Sequence, residues 1–458
     1  MKTEVQKLAT FVKNRDFSDL SADAIRELKL RLLDSLGCAI GALEGNPIRK
    51  IREQNEDFGG KPLVSLIGGG KTAPDRAAFY NSALVRYLDY NDSYLAKKET
   101  CHPSDNIGSV LAATQYRKGT GSDFLTALAI AYQVQCRLSD VAPVRHKGFD
   151  HTVQGAYGAA AGAAYALGLN EEQTAHAIAI SATAYNALRV TRTGNLSNWK
   201  GLAFPSTGWT STHSAFLAMR GITGPEEVFE GNKGFRETIA GDFEIDWLKE
   251  NLEKVVDTII KKFNAEIHSQ ATLEGLQDLR NGEKFNPADI SSIELNTFDV
   301  AFHIIGGGEE GSKKNIRTKE EADHSLPYMM AAVLLDGNVL PAQYLPERIV
   351  KDDIQTLLKK VHVHEKKEYS DRFPKEEACD ITILFNNGKK LYIEKKDYEG
   401  FNTHPASWEF IIKKFNNLAH PFAGEKLRND IVEVIRNLEN HPIADLTRLL
   451  EKVSNEKL

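Results

Sequence analysis

A mainly α chain in two lobes is what the sequence predicts, on three observations. Apolar residues recur at helical spacing through most of the chain up to about residue 263, whereas beyond about residue 265 short runs alternate apolar and polar as strands do. The length of 458 residues also exceeds what one hydrophobic core supports.

Taken in order, Ser21 reads as an N-cap for a helix carrying Ile25, Leu28, Leu32, Leu33 and Leu36 on one face and ending near Gly41 to Gly45. Leu63 to Ile67 forms a small strand or turn that runs into Gly68, Gly69 and Gly70. That triple glycine lacks the flanks of a phosphate loop and reads as a flexible connection. Pro74 to Leu88 is helical, with Ala77, Ala78, Ala83 and Leu84 on its apolar side. It delivers Asp89 at its C-terminal end, where a carboxylate opposes the helix dipole at a cost of a few tenths of a kcal/mol, roughly.

Residues 107–138 and 153–168 read as further helices. The small residues Gly155 to Ala164 mark the second as tightly packed against its neighbours. Glu171 to Leu188, Gly208 to Arg220 and Trp247 to Phe263 continue the helical series. Then Ile290 to Thr297 and Val361 to His364 alternate as strands, and Asp380 to Ile393 is a hairpin turning at Asn387-Gly388. These describe a second lobe of helix and antiparallel sheet. The tail from Ser407 to Leu458 is helical but too short to bury a core alone, so it packs back on one of the lobes.

Composition narrows the function. With 41% hydrophobic and 26% charged residues the chain has ordinary globular proportions, and a net charge of -6 argues against a nucleic-acid binder. The N-terminus carries acids early and fits neither a signal nor a transit peptide. No apolar run has transmembrane length, and a cytoplasmic protein without membrane partners is expected. Cys38, Cys101, Cys136 and Cys379 lie far apart without a Cys-x-x-Cys pair, which gives no zinc or iron–sulfur spacing. Chemistry on side chains alone, with no metal or cofactor, is the expectation.

Those side chains cluster along the sequence. Asp89, Asp92 and Ser93 lie three and four apart, so a continuing helix would set them on one side, although Asp92 alone reads as a solvated cap. His102 precedes Pro103 and stands in a dense polar run, which suits acid–base work. His151 opens the small-residue helix, whose dipole disfavours imidazolium. A general base and a buried structural histidine are equally good readings of it. Arg189 and Arg192 share a helical face near a C-terminus, and Lys200 sits in a Gly-bounded loop beside Trp199. Together they are three cations without a balancing acid, as an anionic substrate requires. His268 reads as a ligand or a core imidazole, and Tyr328 in a helix opened by His324 more readily as packing. His303 and His404 have no supporting neighbours and read as structural.

These residues resemble the MmgE/PrpD family, which includes 2-methylcitrate dehydratases, cis-aconitate decarboxylases and some epimerases. The likeness runs through Leu32 to Gly37, Leu88 to Asp92, His102 to Asn106, Arg189 to Lys200, Gly221 to Pro225 and His324 to Tyr328. It implies a large all-helical domain (1–264, with C-terminal helices 401–458 returning to it) and a smaller α+β lid domain (265–400). It also implies a homodimer that needs no metal. The residues that the decarboxylase branch uses fall on Asp89, Ser93, His102, His151, Lys200 and Tyr328. Ser93 stands where that branch has Thr, and the segment from Asp89 to His102 is about three residues longer, which looks like the 2-methylcitrate dehydratase branch.

The expected protein is therefore a hydro-lyase acting on a di- or tricarboxylate, 2-methylcitrate or citrate. Asp89, His102, His151, Lys200 and Tyr328 are its expected catalytic residues, and Ser93, Arg189, Arg192 and His268 its substrate-binding ones. Its rivals are cis-aconitate decarboxylation, dicarboxylate epimerisation, and a carboxylate-binding protein without turnover.

Overall fold

The computed structural model describes residues 2–194, 196–454 and 456–458. Asn195, inside the stretch from Arg189 to Lys200, lies outside the described residues. The protein is mainly α and divides into two compact units. The larger comprises Met1–Thr191, Gly201–Thr258 and Ser407–Leu458, and the smaller comprises Arg192–Lys200 and Ile259–Ala406.

In the larger unit the helices are α1 (Glu4–Lys13), α2 (Ala22–Gly41), α3 (Asn46–Phe58), α4 (Pro74–Tyr87), α5 (Ile107–Arg117), α6 (Gly121–Val141), α7 (Thr152–Leu167) and α8 (Glu171–Ala184). A further helix, α9 (Trp199–Met219), begins nine residues before the Gly208 start that the sequence suggests. Gly201 and Pro205 hide that beginning, because both are poor helix formers. Two short antiparallel ribbons complete the unit's regular structure, β1 (Val64–Ser65) with β2 (Lys71–Thr72) and β3 (Tyr94–Ala96) with β4 (Glu99–Cys101).

Small residues set the packing at its centre. A Cβ on Gly158 would stand 2.7 Å from the Ala131 carbonyl oxygen, and one on Gly162 would stand 2.9 Å from that of Ala127, so α7 lies backbone-close on α6. The C-terminal helix Trp408–Ala419 crosses α2 in the same way, with a Gly37 Cβ position 3.1 Å from the Cα of Phe415.

Several elements depart from the sequence reading. Helix α1 is not among the helices that the sequence suggests, although Thr3 and Gln6 form a capping box and Val5, Leu8, Ala9, Phe11 and Val12 are its buried face. Residues 107–138 are two helices rather than one, because Lys118 turns left-handed (φ 63°) and Thr120 caps a new start with Asp123. Helix α8 stops at Ala184, short of Leu188, and Arg189–Arg192 is a single 3-10 turn instead of a helix end. Trp247 to Phe263 is helical only over Trp247–Lys249. Its apolar spacing is periodic, but Val255, Val256, Thr258, Ile259 and Ile260 are β-branched and favour extended backbone.

The smaller unit has a four-stranded sheet in the order β6-β5-β7-β8, from β5 (Ile290–Thr297), β6 (Val361–Glu365), β7 (Cys379–Phe385) and β8 (Lys390–Lys395). The sheet is mixed rather than antiparallel, because β6 runs parallel to β5. Gly388 takes φ 85° in the β7–β8 turn, as the Asn-Gly signature anticipates. Helix α10 (Gln270–Gly282) packs on β7 and β8. Among the described residues no helix is long and apolar enough to cross a membrane.

One acid in this unit is held neutral. Glu377 is 1% exposed, and burial first, then the nearby Glu266, push its carboxyl well above the usual range. The folded state therefore keeps a proton that the unfolded chain releases above about pH 4.5, so this group's contribution to stability falls as pH rises through that value. Glu377→Gln is expected to raise the Tm at pH 8, with the gain shrinking as pH falls to 5. A calorimetric pH series checks this, and an equal effect at both pH values would contradict it.

Candidate active site

In the larger unit the site is built where α4 ends. Asp89 follows the helix with φ 55°, a left-handed conformation that Asp tolerates better than most residues and that stops the helix. The chain therefore does not carry Asp89, Asp92 and Ser93 along one helical side. Arg86, one turn back, places Nη1 2.5 Å from Asp89 Oδ1 and Nε 3.5 Å from Asp105 Oδ2, and all three residues are buried. The guanidinium offsets both the dipole at the helix end and the burial of two carboxylates.

Asp92 is no solvated cap. It is fully buried, with Oδ1 accepting from the Ser104 backbone N–H (3.1 Å) and hydroxyl (2.6 Å) and Oδ2 accepting from the Tyr132 hydroxyl at 2.7 Å. Burial pushes its carboxyl up, against those hydrogen bonds from Ser104 and Tyr132. The Asn91 amide donates to Ser104 Oγ and to Asp105 Oδ1, both at 2.8 Å. Residues 89–93 and 102–106 are thus tied together through four side chains. From the C-terminal segment, Lys414 supports the same loop, with Nζ 2.8 Å from the Tyr90 carbonyl oxygen and 2.7 Å from buried Asp34.

The β3–β4 ribbon brings Ser93 and His102 face to face. Its register pairs Tyr94 with Cys101, so Ser93 and His102 are the next pair outward. His102 Nδ1 lies 2.8 Å from the Asp92 carbonyl oxygen and 3.0 Å from Ser93 Oγ. A carbonyl oxygen only accepts, so Nδ1 carries a proton, and in the neutral ring Nε2 holds the lone pair. This is the tautomer of a general base.

The His151 ring packs edge-on against that of His102, with centroids 5.4 Å apart. His151 sits at the N-terminus of α7, where the dipole opposes imidazolium, but Asp150 Oδ1 lies 3.6 Å from its Nδ1 and acts the other way. Arg189 donates its backbone N–H to the Gly148 carbonyl, and its charge acts on buried Glu99, so this cation does face an acid. Burial is the main reason that the Glu99 carboxyl is raised, opposed by the Val144 and Arg145 backbone N–H groups and then by Arg189.

The smaller unit gathers a second set. Lys200 lies in the first turn of α9 rather than in a loop, is buried, and places Nζ 2.7 Å from Asp323 Oδ1 and 2.8 Å from His324 Nδ1. Lys319 Nζ reaches the other oxygen of Asp323 at 2.9 Å. Burial would raise the Asp323 carboxyl, but Lys200, Lys319 and His324 together hold it far below the carboxylate range. The Arg192 guanidinium donates to the Lys200 carbonyl oxygen at 3.1 Å. The cations of this stretch are therefore balanced by an acid 123 residues away from Lys200. Two ammonium groups on one carboxylate still leave a net positive locus. Lys313 feels it, its ammonium being lowered by burial and, against Glu310, by the charge of Lys200.

His268 is buried against the stacked rings of Phe298 and Phe373, with Nδ1 2.7 Å from Glu266 Oε1 and Nε2 buried without a hydrogen-bond partner. Against burial, His268 and then His324 hold the Glu266 carboxyl down at about 2. The Glu266 backbone N–H donates to the Asp323 carbonyl oxygen at 3.3 Å, which joins this pair to the lysine cluster. Tyr328 stands apart from it. Its ring stacks on Tyr344, and its buried hydroxyl donates to the Gln343 carbonyl oxygen.

The two parts of the chain match two family models, the MmgE/PrpD N-terminal domain over residues 6–248 and the MmgE/PrpD C-terminal domain over residues 263–440. The chain belongs to the MmgE/PrpD family. Relatives in it include the mitochondrial 2-methylcitrate dehydratase of Yarrowia lipolytica, 26% identical over 81% of this chain and 73% of that protein. The 2-methylcitrate dehydratase of Escherichia coli K12 is 26% identical over 85% and 83% of the two chains. The cis-aconitate decarboxylase of Mus musculus is 24% identical over 98% and 94%. Membership accounts for the motif run from Leu32 to Tyr328. Sequence alone gives no site role to Arg86, Asp105, Glu266, Asp323 or His324, although Asp105 and His324 stand within the runs His102–Asn106 and His324–Tyr328.

Proposed function

We propose that this MmgE/PrpD chain is a hydro-lyase that removes water from 2-methylcitrate or citrate. The observation that carries the reading is the contact of His102 Nδ1 with the Asp92 carbonyl oxygen at 2.8 Å, which in the neutral ring leaves Nε2 as the proton acceptor. Dehydration of a 3-hydroxy acid begins with loss of a C–H proton beside a carboxylate. That proton is weakly acidic, so the charge that develops on the carboxylate needs cations close by. In the smaller unit Lys200 and Lys319 both lie against Asp323, which fixes the two ammonium groups in place, and Arg192 donates to the Lys200 carbonyl oxygen; these are the cations the reading assigns to substrate carboxylates. In this reading His102 takes the proton, His151 and Asp150 support it, and Arg189 and Lys200 contribute to binding the carboxylates. Asp89 is held by Arg86 as part of the scaffold around these groups.

The relatives named 2-methylcitrate dehydratase support dehydration. The decarboxylase of Mus musculus, which aligns along nearly the whole chain, supports cis-aconitate decarboxylation as the second reading. A substrate panel separates them. The purified chain is incubated, with a chelator present, with 2-methylcitrate stereoisomers, citrate and cis-aconitate, and ultraviolet absorbance and carbon dioxide are followed separately. Unsaturation from a hydroxy acid without gas is expected, and gas from cis-aconitate would move the assignment to the decarboxylase.

A further inference from the structure

We propose that His324 is a further catalytic residue, which delivers the proton that leaves with the hydroxyl group, and that Asp323 is its positioning residue. The proposal rests on the hydro-lyase reading. The backbone around the pair is fixed on both sides. Asp323 N–H donates to the Lys319 carbonyl and His324 N–H to that of Glu321, while Ser325 caps the next helix through the Tyr328 N–H and donates its hydroxyl to the Lys313 carbonyl at 2.6 Å. The imidazole is therefore presented from a rigid turn.

Its Nδ1 has two partners of opposite kind, Lys200 Nζ and Asp323 Oδ1, each at 2.8 Å. An ammonium only donates and a carboxylate only accepts. Nδ1 accordingly keeps a partner in every protonation state, accepting from Lys200 when it is bare and donating to Asp323 when it holds a proton. Proton exchange with any other group then runs through Nε2. His102 differs, since its Nδ1 is fixed by a carbonyl in one tautomer. A fixed tautomer suits a base, and an adaptable one suits a residue that must release a proton and regain it.

The surroundings favour loading with substrate. Within the smaller unit the charged groups facing the imidazole include Lys200, Asp323 with Lys319 on its far oxygen, and Glu266. Lys313 stands near Lys200 and Glu266. An arriving polycarboxylate offsets the ammonium charges and so favours protonation of His324. In the step itself, the base takes the C–H proton, that electron pair forms the C=C bond, and the C–O bond breaks. The oxygen leaves with the His324 proton as water. One C–H and one C–O bond are lost, one C=C bond and one water are formed, and solvent returns the proton from the base to His324.

The test compares two substrates, 2-methylcitrate and its analogue with fluorine in place of the hydroxyl, since fluoride departs without a proton. Full-length His324→Gln and His324→Asn are assayed alongside the wild type, with thermal melts to establish folding. The second variant keeps a polar group at the Nδ1 position. The proposal expects either folded variant to lose about 100-fold or more in turnover of the hydroxy acid, while elimination from the fluoro analogue stays close to wild type. Equal losses on both substrates, or no loss on either, would overturn it. A wild type that eliminates from neither substrate would instead refute the hydro-lyase reading.

Discussion

His102→Asn is expected to lower kcat by about 100- to 10,000-fold, the usual contribution of a positioned general base, while the thermal melt stays close to wild type. Asn can place an N–H where Nδ1 stands and keep the bond to the Asp92 carbonyl, so the loop retains its geometry. What is lost is the lone pair on Nε2. His102→Gln is the complement, because it keeps a polar group near Nε2 and leaves the Asp92 carbonyl and Ser93 hydroxyl without their imidazole partner. It is expected to be as inactive and also less stable. Steady-state kinetics with melts on both variants checks the pair. A His102→Asn enzyme within tenfold of wild type would remove His102 as the base.

Lys200→Met carries the second large effect, on both binding and stability. It removes the ammonium that lies against Asp323 and His324, so KM is expected to rise and kcat to fall together, as follows when ground-state binding and transition-state charge are both affected. Breaking a buried ion pair by removing one partner costs about 3–5 kcal/mol, and Lys319, still on the other oxygen of Asp323, moderates this. The sign of the pH dependence follows from the depressed Asp323 carboxyl. Its contribution is present above the unfolded value of 3.8 and disappears as pH falls through the folded value. The variant's loss of stability is therefore expected to be full at pH 7 and to diminish as acid is added below about pH 4. Denaturant melts across that range measure it.

How much of this was legible in the sequence depends on how far apart the interacting residues lie. Local signals served well where the physics is local. Ser21 as a cap, the Asn387-Gly388 turn and the small-residue face of α7 could all be read directly. The periodic run from Trp247 to Phe263 misled because spacing alone does not register the preference of β-branched residues for extended backbone. In the larger unit Asp89, Ser93, His102 and His151 were singled out as candidates, since motif and chemistry coincide there. The balancing acid of Lys200 was not, because Asp323 is distant in the chain and only folding brings it to the ammonium. Arg86 was passed over for a related reason, since its use depends on the left-handed turn at Asp89 rather than on helical spacing.

The central claim is removal of water from a hydroxy tricarboxylate by side-chain proton transfer, and proton NMR of 2-methylcitrate incubated with the wild-type chain in deuterium oxide tests it most directly. The account predicts that the methyl doublet of the substrate collapses to the singlet of a methyl group on a double bond, with no carbon dioxide released. Deuterium entering the methine position without formation of an alkene would contradict it and assign the chain to proton exchange, as in an epimerase. An unchanged spectrum from every stereoisomer, and from citrate, would contradict it altogether.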